Sequence, residues 1–201
     1  AVLLRPLPFR APQELVAIWE SAPLSGLPRN TPAPADFVDW KSQTHSFVDM
    51  AASNQTAASV TGGEGRPESL FGRRVTENLF EVLGTPAALG RVIVPDDARA
   101  SEAVVVISDG LWRRRFGADS TVVGQTLRLD GTPYTIVGVM PRDFVYPSAR
   151  FEFWIPARWS PTQAATRNSH YLQVVGRLKP GVSLEAAGAE VREITNRSSP
   201  L

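Results

Sequence analysis

Apolar residues along the chain gather in short runs of two kinds. Residues 15–19 (LVAIW), 103–107 (AVVVI) and 151–155 (FEFWI) are compact, rich in β-branched or aromatic residues, and of the length of a buried strand. Residues 57–61, 68–76, 126–129, 134–139 and 170–178 read as further strands. The other runs have helical spacing. Phe37 and Trp40 lie three apart in a short helix that Asp36 caps and that reaches about Gln43. An apolar stretch with Phe47, Val48, Met50 and Ala51 follows a break near Thr44. Residues 77–83 place Leu79, Phe80, Val82 and Leu83 on a helix with Gly84 at its C′ position. Ser108 caps DGLWRRRF, which Gly117 ends. Ser183 caps a helix to about Asn196, with Leu184, Ala187, Val191 and Ile194 on one face.

The punctuation between these runs is equally legible. Pro6, Pro8 and Pro12 hold the entry to the first strand extended. Residues 21–34 are rich in Pro, Ser, Gly and Asn and read as a loop, as do the polar residues 158–168. Gly62-Gly63-Glu64-Gly65 and Lys179-Pro180-Gly181 turn the chain, and Asp130-Gly131 is a hairpin signal. The linker there counts four residues if Thr132 and Pro133 belong to it, so the turn type stays open.

The order of outer elements is strand, helix, strand, strand, helix, then, after an insertion, strand and helix. That is the split βαβ arrangement of ferredoxin-like folds. The expected fold class is α+β with two lobes. One lobe is discontinuous, residues 1–90 and 166–201, and residues 91–165 form an inserted small α/β lobe. No internal repeat of solenoid period is present.

Composition narrows the function classes. The chain has 201 residues, 21 Lys+Arg against 20 Asp+Glu, and no Cys. A net charge of +1 lacks the long-range field of a dedicated nucleic-acid binder. The missing Cys excludes disulfides, thiolate nucleophiles and Cys-based zinc sites. A hydrophobic content of 43% excludes a disordered chain, and no apolar run approaches the ~18–20 residues of a membrane span. Neither end reads as a natural terminus, so the chain reads as a piece of a longer protein.

Candidate chemistry is sparse. His45 and His170 are the two histidines, far apart in sequence, and surface or capping roles account for both. Ser108 follows an apolar strand and opens a helix, a loose imitation of a nucleophile turn, but there is no G-x-S-x-G and an N-cap explains the same residue. Asp96-Asp97 is half a cation site at most and reads as a solvated turn after Pro95. The Gly62–Gly65 cluster is not G-x-G-x-x-G and opens no helix, so it cradles no phosphate. Arg113-Arg114-Arg115 beside Trp112 and Phe116 reads as a solvated helix face whose stems cover apolar surface; the functional alternative is contact with acidic lipid headgroups or a partner protein. Leu24, Leu27, Phe144 and Tyr146 are candidates for an exposed contact surface. No catalytic, cofactor-binding or metal-ligating residue is assigned.

Six segments, in order, carry a resemblance: LLRPLPFR (3–10), ADFVDW (35–40), NLFEVLGTPAALGR (78–91), VVVISDGLWRRRFG (104–117), VVGQTLRLDGTPYTIVGVMP (122–141) and HYLQVVGRLKPGVSLEAA (170–187). Together they resemble the MacB-like periplasmic core domain of ABC-transporter permeases, and most of all the large permeases of that kind common in acidobacteria. The resemblance implies an extracytoplasmic domain between the first and second of four membrane helices, at the periplasmic face of the bacterial inner membrane. It implies a porter-like lobe with an inserted lobe called Sabre. It also implies a further strand beyond Leu201, without which the porter-like sheet keeps an open edge. The implied role is non-catalytic: coupling cytoplasmic ATP hydrolysis to export, or to a periplasmic partner, by mechanotransmission. The implied partners are a cytoplasmic ABC ATPase reached through the rest of the permease, a second permease copy as dimer, and a periplasmic adaptor or cargo. No cofactor is implied. Two other readings compete. One is a lipid- or peptide-binding module with a cleft between lobes. The other, far behind, is a hydrolase using Ser108 or the Asp96-Asp97 pair.

Overall fold

The computed structural model describes residues 9–22, 27–61 and 67–198, with the backbone alone described at 21–22 and 27–28. In chain order, a 3₁₀ turn at Pro12–Glu14 leads to β1 (Leu15–Ile18), β2 (Glu20–Ala22), β3 (Leu27–Asn30), α1 (Pro34–Gln43) and β4 (Phe47–Thr61). Then come β5 (Glu68–Val75), α2 (Leu79–Leu83), β6 (Leu89–Gly90), α3 (Pro95–Arg99), β7 (Val104–Ile107) and α4 (Asp109–Phe116). The chain continues through β8 (Thr126–Leu129), β9 (Thr132–Val139), β10 (Phe151–Pro156), α5 (Pro161–Ala164), β11 (Gln173–Leu178) and α6 (Leu184–Ser198). The fold is α+β, and the chain forms two compact units: Ala11–Asn54 with Trp159 onward, and Gln55–Arg158 with Phe9 and Arg10.

The first unit is an open sheet under two helices. β11 lies between β1 and the first half of β4, antiparallel to both, in register Val16↔Gly176 and Gly176↔Met50. Strands one, three and two of this unit are therefore neighbours in that order, as in a split βαβ sheet. One face buries Ile18, Met50, Ala52 and Val174 against Phe37 and Trp40 of α1 and Ala187, Val191 and Ile194 of α6. The 3.6-residue period of α6 puts those last three on one stripe. Trp40 is 1% exposed, and its indole N–H donates to Thr195 Oγ1 at 2.9 Å, so the buried ring keeps its polar atom satisfied.

The second unit closes on itself. The second half of β4 neighbours β5, β5 pairs with β10 in parallel, and β10 pairs with β7 antiparallel. β7 pairs with β9 in parallel, β9 with β8, and β8 returns to β4 through Val60↔Leu129. These six strands form a ring, and each contributes to one core: Val60, Leu70, Phe153, Ile107, Ile136 and Leu127, with Leu111 of α4 packed among them. Closure leaves no free ladder edge inside the ring. The β8–β9 hairpin is what permits it. Asp130 (φ 50°) and Gly131 (φ 78°) both have positive φ, the requirement of a two-residue type I′ turn. Asp130 also exchanges bonds with Ser59 of β4: its N–H donates to Ser59 O at 2.9 Å, and its Oδ1 accepts from Ser59 N–H at 2.8 Å. Thr132 and Pro133 thus belong to β9, opposite Leu129 and Arg128.

Several elements differ from the sequence reading. The expected loop at 21–34 contains the β2–β3 hairpin and the start of α1. The two apolar stretches around 47–51 and 57–61 are one 15-residue strand; polar Ser53, Asn54, Gln55 and Thr56 interrupt the apolar pattern, yet Ser53 is fully buried. Asp36 is not the cap of α1. The N-cap is Ala33, Pro34 takes the first helical turn with its preset φ, and Asp36 lies inside. Residues 158–168 hold the single turn α5, whose Ser160 and Gln163 form a capping box. The division into units falls after Asn54, within β4, and after Arg158, whereas the sequence pattern sets the boundaries at 90/91 and 165/166. The reason is pairing: β5 runs beside β10, and the end of β4 beside β8, so residues 55–90 share the core of residues 91–158. The Gly62–Gly65 turn, Pro6, Pro8, Leu24, the Leu27 side chain and the last three residues lie outside the described residues.

Candidate functional site

Each described residue that the sequence singles out has a local explanation. Ser108 Oγ accepts the Leu111 N–H at 3.0 Å and is the N-cap of α4, which Gly117 closes at φ 58°. The oxygen that a hydrolase would need as nucleophile is therefore engaged in helix capping. His170 faces Glu20, Nδ1 to Oε2 at 2.8 Å. His45 is 89% exposed at its side chain, and its backbone N–H, like that of Ser46, donates to Glu190 of α6. The two histidines face two different carboxylates, Glu190 and Glu20.

Asp96-Asp97 is not a solvated turn. It is the first turn of α3, and the two carboxylates part company: Asp96 is 93% exposed at its side chain, Asp97 7%. Arg91 donates to both Asp97 oxygens, at 2.6 and 2.9 Å, and the Val94 N–H donates to Oδ2 at 2.9 Å. Burial alone would raise the Asp97 pKa. The bidentate Arg91 and the Val94 amide outweigh it and hold the carboxyl below its ordinary value. Arg158 adds donors to the backbone oxygens of Asp97 and Glu102.

The three arginines of α4 do not form a free basic patch either. Arg113 reaches Asp109 one turn back at 2.8 Å, Arg114 holds Glu152 through two bonds, and Arg115 pairs with Glu68 at 3.1 Å. Arg115 is 3% exposed at its side chain, so the solvated-face reading fails for it. Each positive charge is met by a carboxylate of the same unit. Phe144 and Tyr146 are buried, not exposed. Phe144 packs edge-on to Trp154 at 5.3 Å and near Phe80 at 5.8 Å, with Phe9 against both Phe144 and Tyr146. This aromatic cluster bridges residues 9, 80, 144–146 and 154, a long-range contact that no local pattern announces.

One cluster has no counterpart in the sequence reading. Glu20 at the start of β2 sits beside Asp36 and His170, and Arg167 donates to Asp36 at 2.9 Å and to Asp39 at 2.7 Å. Two acids, a histidine and an arginine from residues 20, 36, 167 and 170 share no motif spacing, and only the fold brings them together. Among the described residues no group of three His, Asp or Glu side chains is arranged to hold a metal ion, and no helix is long and apolar enough to cross a membrane.

The chain matches the MacB-like periplasmic core domain over residues 6–194, and it belongs to that family. The macrolide export ATP-binding/permease protein MacB of Hahella chejuensis is 26% identical over 115 residues, 56% of this chain and 17% of that protein. The "Probable syringafactin export ATP-binding/permease protein SyfD" of Pseudomonas syringae pv. syringae is 31% identical over 138 residues, 61% of this chain and 21% of that protein. The chain thus corresponds to about a fifth of each relative. The periplasmic region of MacB from Actinobacillus actinomycetemcomitans superposes with a TM-score of 0.67 at 16% identity, covering 92% of this chain and 83% of that one. The extracellular domain of the noncanonic ABC-type transporter YknZ from Gram-positive bacteria gives 0.66 at 14% identity, covering 92% and 94%. At such identities the superpositions establish the fold.

Proposed function

We propose that this chain is the non-catalytic extracytoplasmic domain of an ABC-transporter permease at the periplasmic face of the inner membrane, coupling cytoplasmic ATP hydrolysis to export or to a periplasmic partner. The observation that carries the reading is the family match over residues 6–194. The engagement of Ser108 as a helix cap and of Asp97 by Arg91 supports the non-catalytic part, because a structural role accounts for each group. In this reading Ala11–Asn54 with the chain from Trp159 is the porter-like lobe, and Gln55–Arg158 the Sabre-like one. The partners are the ABC ATPase, through the rest of the permease, a second permease copy, and a periplasmic adaptor or cargo.

The test uses the full-length permease in its native membrane. Photoreactive residues replace exposed Val123 in one unit and Leu184 in the other. The expected result is a crosslink to an extracytoplasmic protein whose yield changes when ATP hydrolysis is blocked in the ATPase. A crosslink to lipid or small molecules alone, indifferent to ATP turnover, refutes coupling and favours a cargo-binding module.

A further inference from the structure

Glu20 is the least conventional acid among the described residues. Its side chain is 11% exposed. Oε1 accepts the Ala33 N–H at 3.1 Å, and Oε2 lies 2.8 Å from His170 Nδ1. His170 Nδ1 is also 3.2 Å from Thr31 O. From α1, the Asp36 carboxyl, 7% exposed, lies beside the Glu20 carboxyl and helps to raise its pKa. Two ionised carboxylates are both acceptors and repel each other where water cannot screen them, so a proton held between them relieves the repulsion. Arg167 cannot neutralise both acids, since it is already shared between Asp36 and Asp39. β3 places uncharged Asn30 opposite Glu20.

The cluster lies where two chain segments are stitched together. Leu172 N–H donates to Pro32 O and Ala35 N–H to Thr166 O, both at 3.1 Å. Residues 31–36 lead into α1 and residues 166–172 into β11, so the stitch fixes how one helix and one strand of this unit begin.

We propose that Glu20, Asp36 and His170 share one proton that acts as a pH-sensitive latch, fastening residues 31–36 to residues 166–172 at mildly acidic pH and loosening them as the pH rises to neutrality and above. Burial pushes the Glu20 carboxyl up from 4.5 to about 7; the Ala33 amide opposes this, Asp36 adds to it, and His170 opposes it. The folded unit therefore keeps a proton that the opened segment releases. The stabilisation is complete below the ordinary carboxyl pKa and is lost as the pH climbs through the folded one. Above that point Glu20 is charged beside Asp36, whose partner Arg167 is shared with Asp39. The proposal stands independently of the transport reading, because it concerns the titration of this unit alone.

The experiment follows the Glu20 side-chain carboxyl by ¹³C NMR from pH 4.5 to 8.5, and the exchange protection of the Ala33, Ala35 and Leu172 amides at pH 5.5 and 8, in the 201-residue chain. The expected result is a Glu20 inflection near pH 7. Protection of the three amides should drop by at least ~10-fold between the two pH values. In Glu20→Gln, which carries a permanent neutral donor, protection should stay level. A Glu20 inflection near 4.5 overturns the latch. So does an equal loss of protection in Glu20→Gln. If that variant does not fold, the wild-type carboxyl titration decides alone.

Discussion

The two units solve the burial problem in different ways. In Gln55–Arg158 six strands close into a ring, and the core is enclosed by residues from all of them. In the other unit three strands form an open sheet, and two helices cover one face. A closed ring has no free edge and little freedom to shrink around a missing side chain. An open sheet under helices can let the helices settle inward, and among the described residues β1 pairs with β11 on one side alone. The ring should therefore behave as the stiffer of the two.

Removing one large core side chain from each tests this most severely. Phe153→Ala in the ring and Trp40→Ala under the helices each belong to the ~3–5 kcal/mol class of aromatic truncations. Phe153 is fully enclosed and lies against Gly72, where an added Cβ would come within 2.2 Å of its ring. Its loss leaves a hole that six paired strands cannot close. Urea unfolding should place Phe153→Ala at the upper end of that range and Trp40→Ala at the lower, despite the lost bond to Thr195. The reverse order would sink the stiffness argument.

Adding a methyl group asks the converse question. A Cβ on Gly138 would meet the Arg91 carbonyl oxygen at 2.1 Å, a backbone wall where β6 lies on β9. A Cβ on Gly176 would meet the Phe47 ring at 2.6 Å and Ile18 at 3.2 Å, side chains that can turn aside. Overpacking costs about 1–3 kcal/mol, so Gly138→Ala should reach or pass the top of that range and Gly176→Ala stay near its bottom. Equal melting temperatures for the two variants would remove the distinction.

These contrasts also explain which features are legible in the sequence. The strand at residues 104–107, the Ser108 cap, the Gly84 and Gly117 stops and the Ala187, Val191 and Ile194 stripe of α6 depend on neighbours a few positions away, and the local pattern identifies each of them; Leu184, read on the same stripe, is exposed. The ring has no such local signature, because its closure depends on β5 meeting β10 some eighty positions later and on β8 returning to β4. The β2–β3 hairpin is hidden by Pro, Ser and Gly, which mark turns and short strand ends alike. The family resemblance is legible from six ordered segments. The Glu20–Asp36–His170–Arg167 cluster carries no comparable signal, since long-range geometry alone makes a buried acid unusual.

Asp97 in one unit and Glu20 in the other should contribute to the pH dependence of stability with opposite signs. In the ring, Asp97 is held below its ordinary pKa by Arg91 and the Val94 amide against the effect of burial. That contribution is present above the unfolded carboxyl pKa and disappears as the pH falls through the lowered folded value. In the open unit the Glu20 contribution fades as the pH rises instead. Asp97→Asn, losing charge-assisted bonds, should cost about 2 kcal/mol at pH 7 and much less at about pH 2.5. Stability curves of the variant and the parent that run parallel over that range would rule out the Asp97 assignment.

The smallest effect separates the two helix caps. Ser108 is half-buried where α4 enters the ring core through Leu111, and Ser183 is exposed at the start of α6, its Oγ accepting the Ala186 N–H at 3.1 Å. Removing a capping hydroxyl costs about 0.5–2 kcal/mol, more where water cannot replace it. Ser108→Ala should lie in the upper half and Ser183→Ala in the lower, measured by urea midpoint. The same Ser108 variant also tests the chemistry of the hydroxyl. On the proposed reading, its phenotype in the full-length protein should match that of another α4 variant of equal stability loss, because the hydroxyl caps the helix. Abolished function at a stability cost of ~1 kcal/mol would restore Ser108 as a chemical residue and reopen the hydrolase reading.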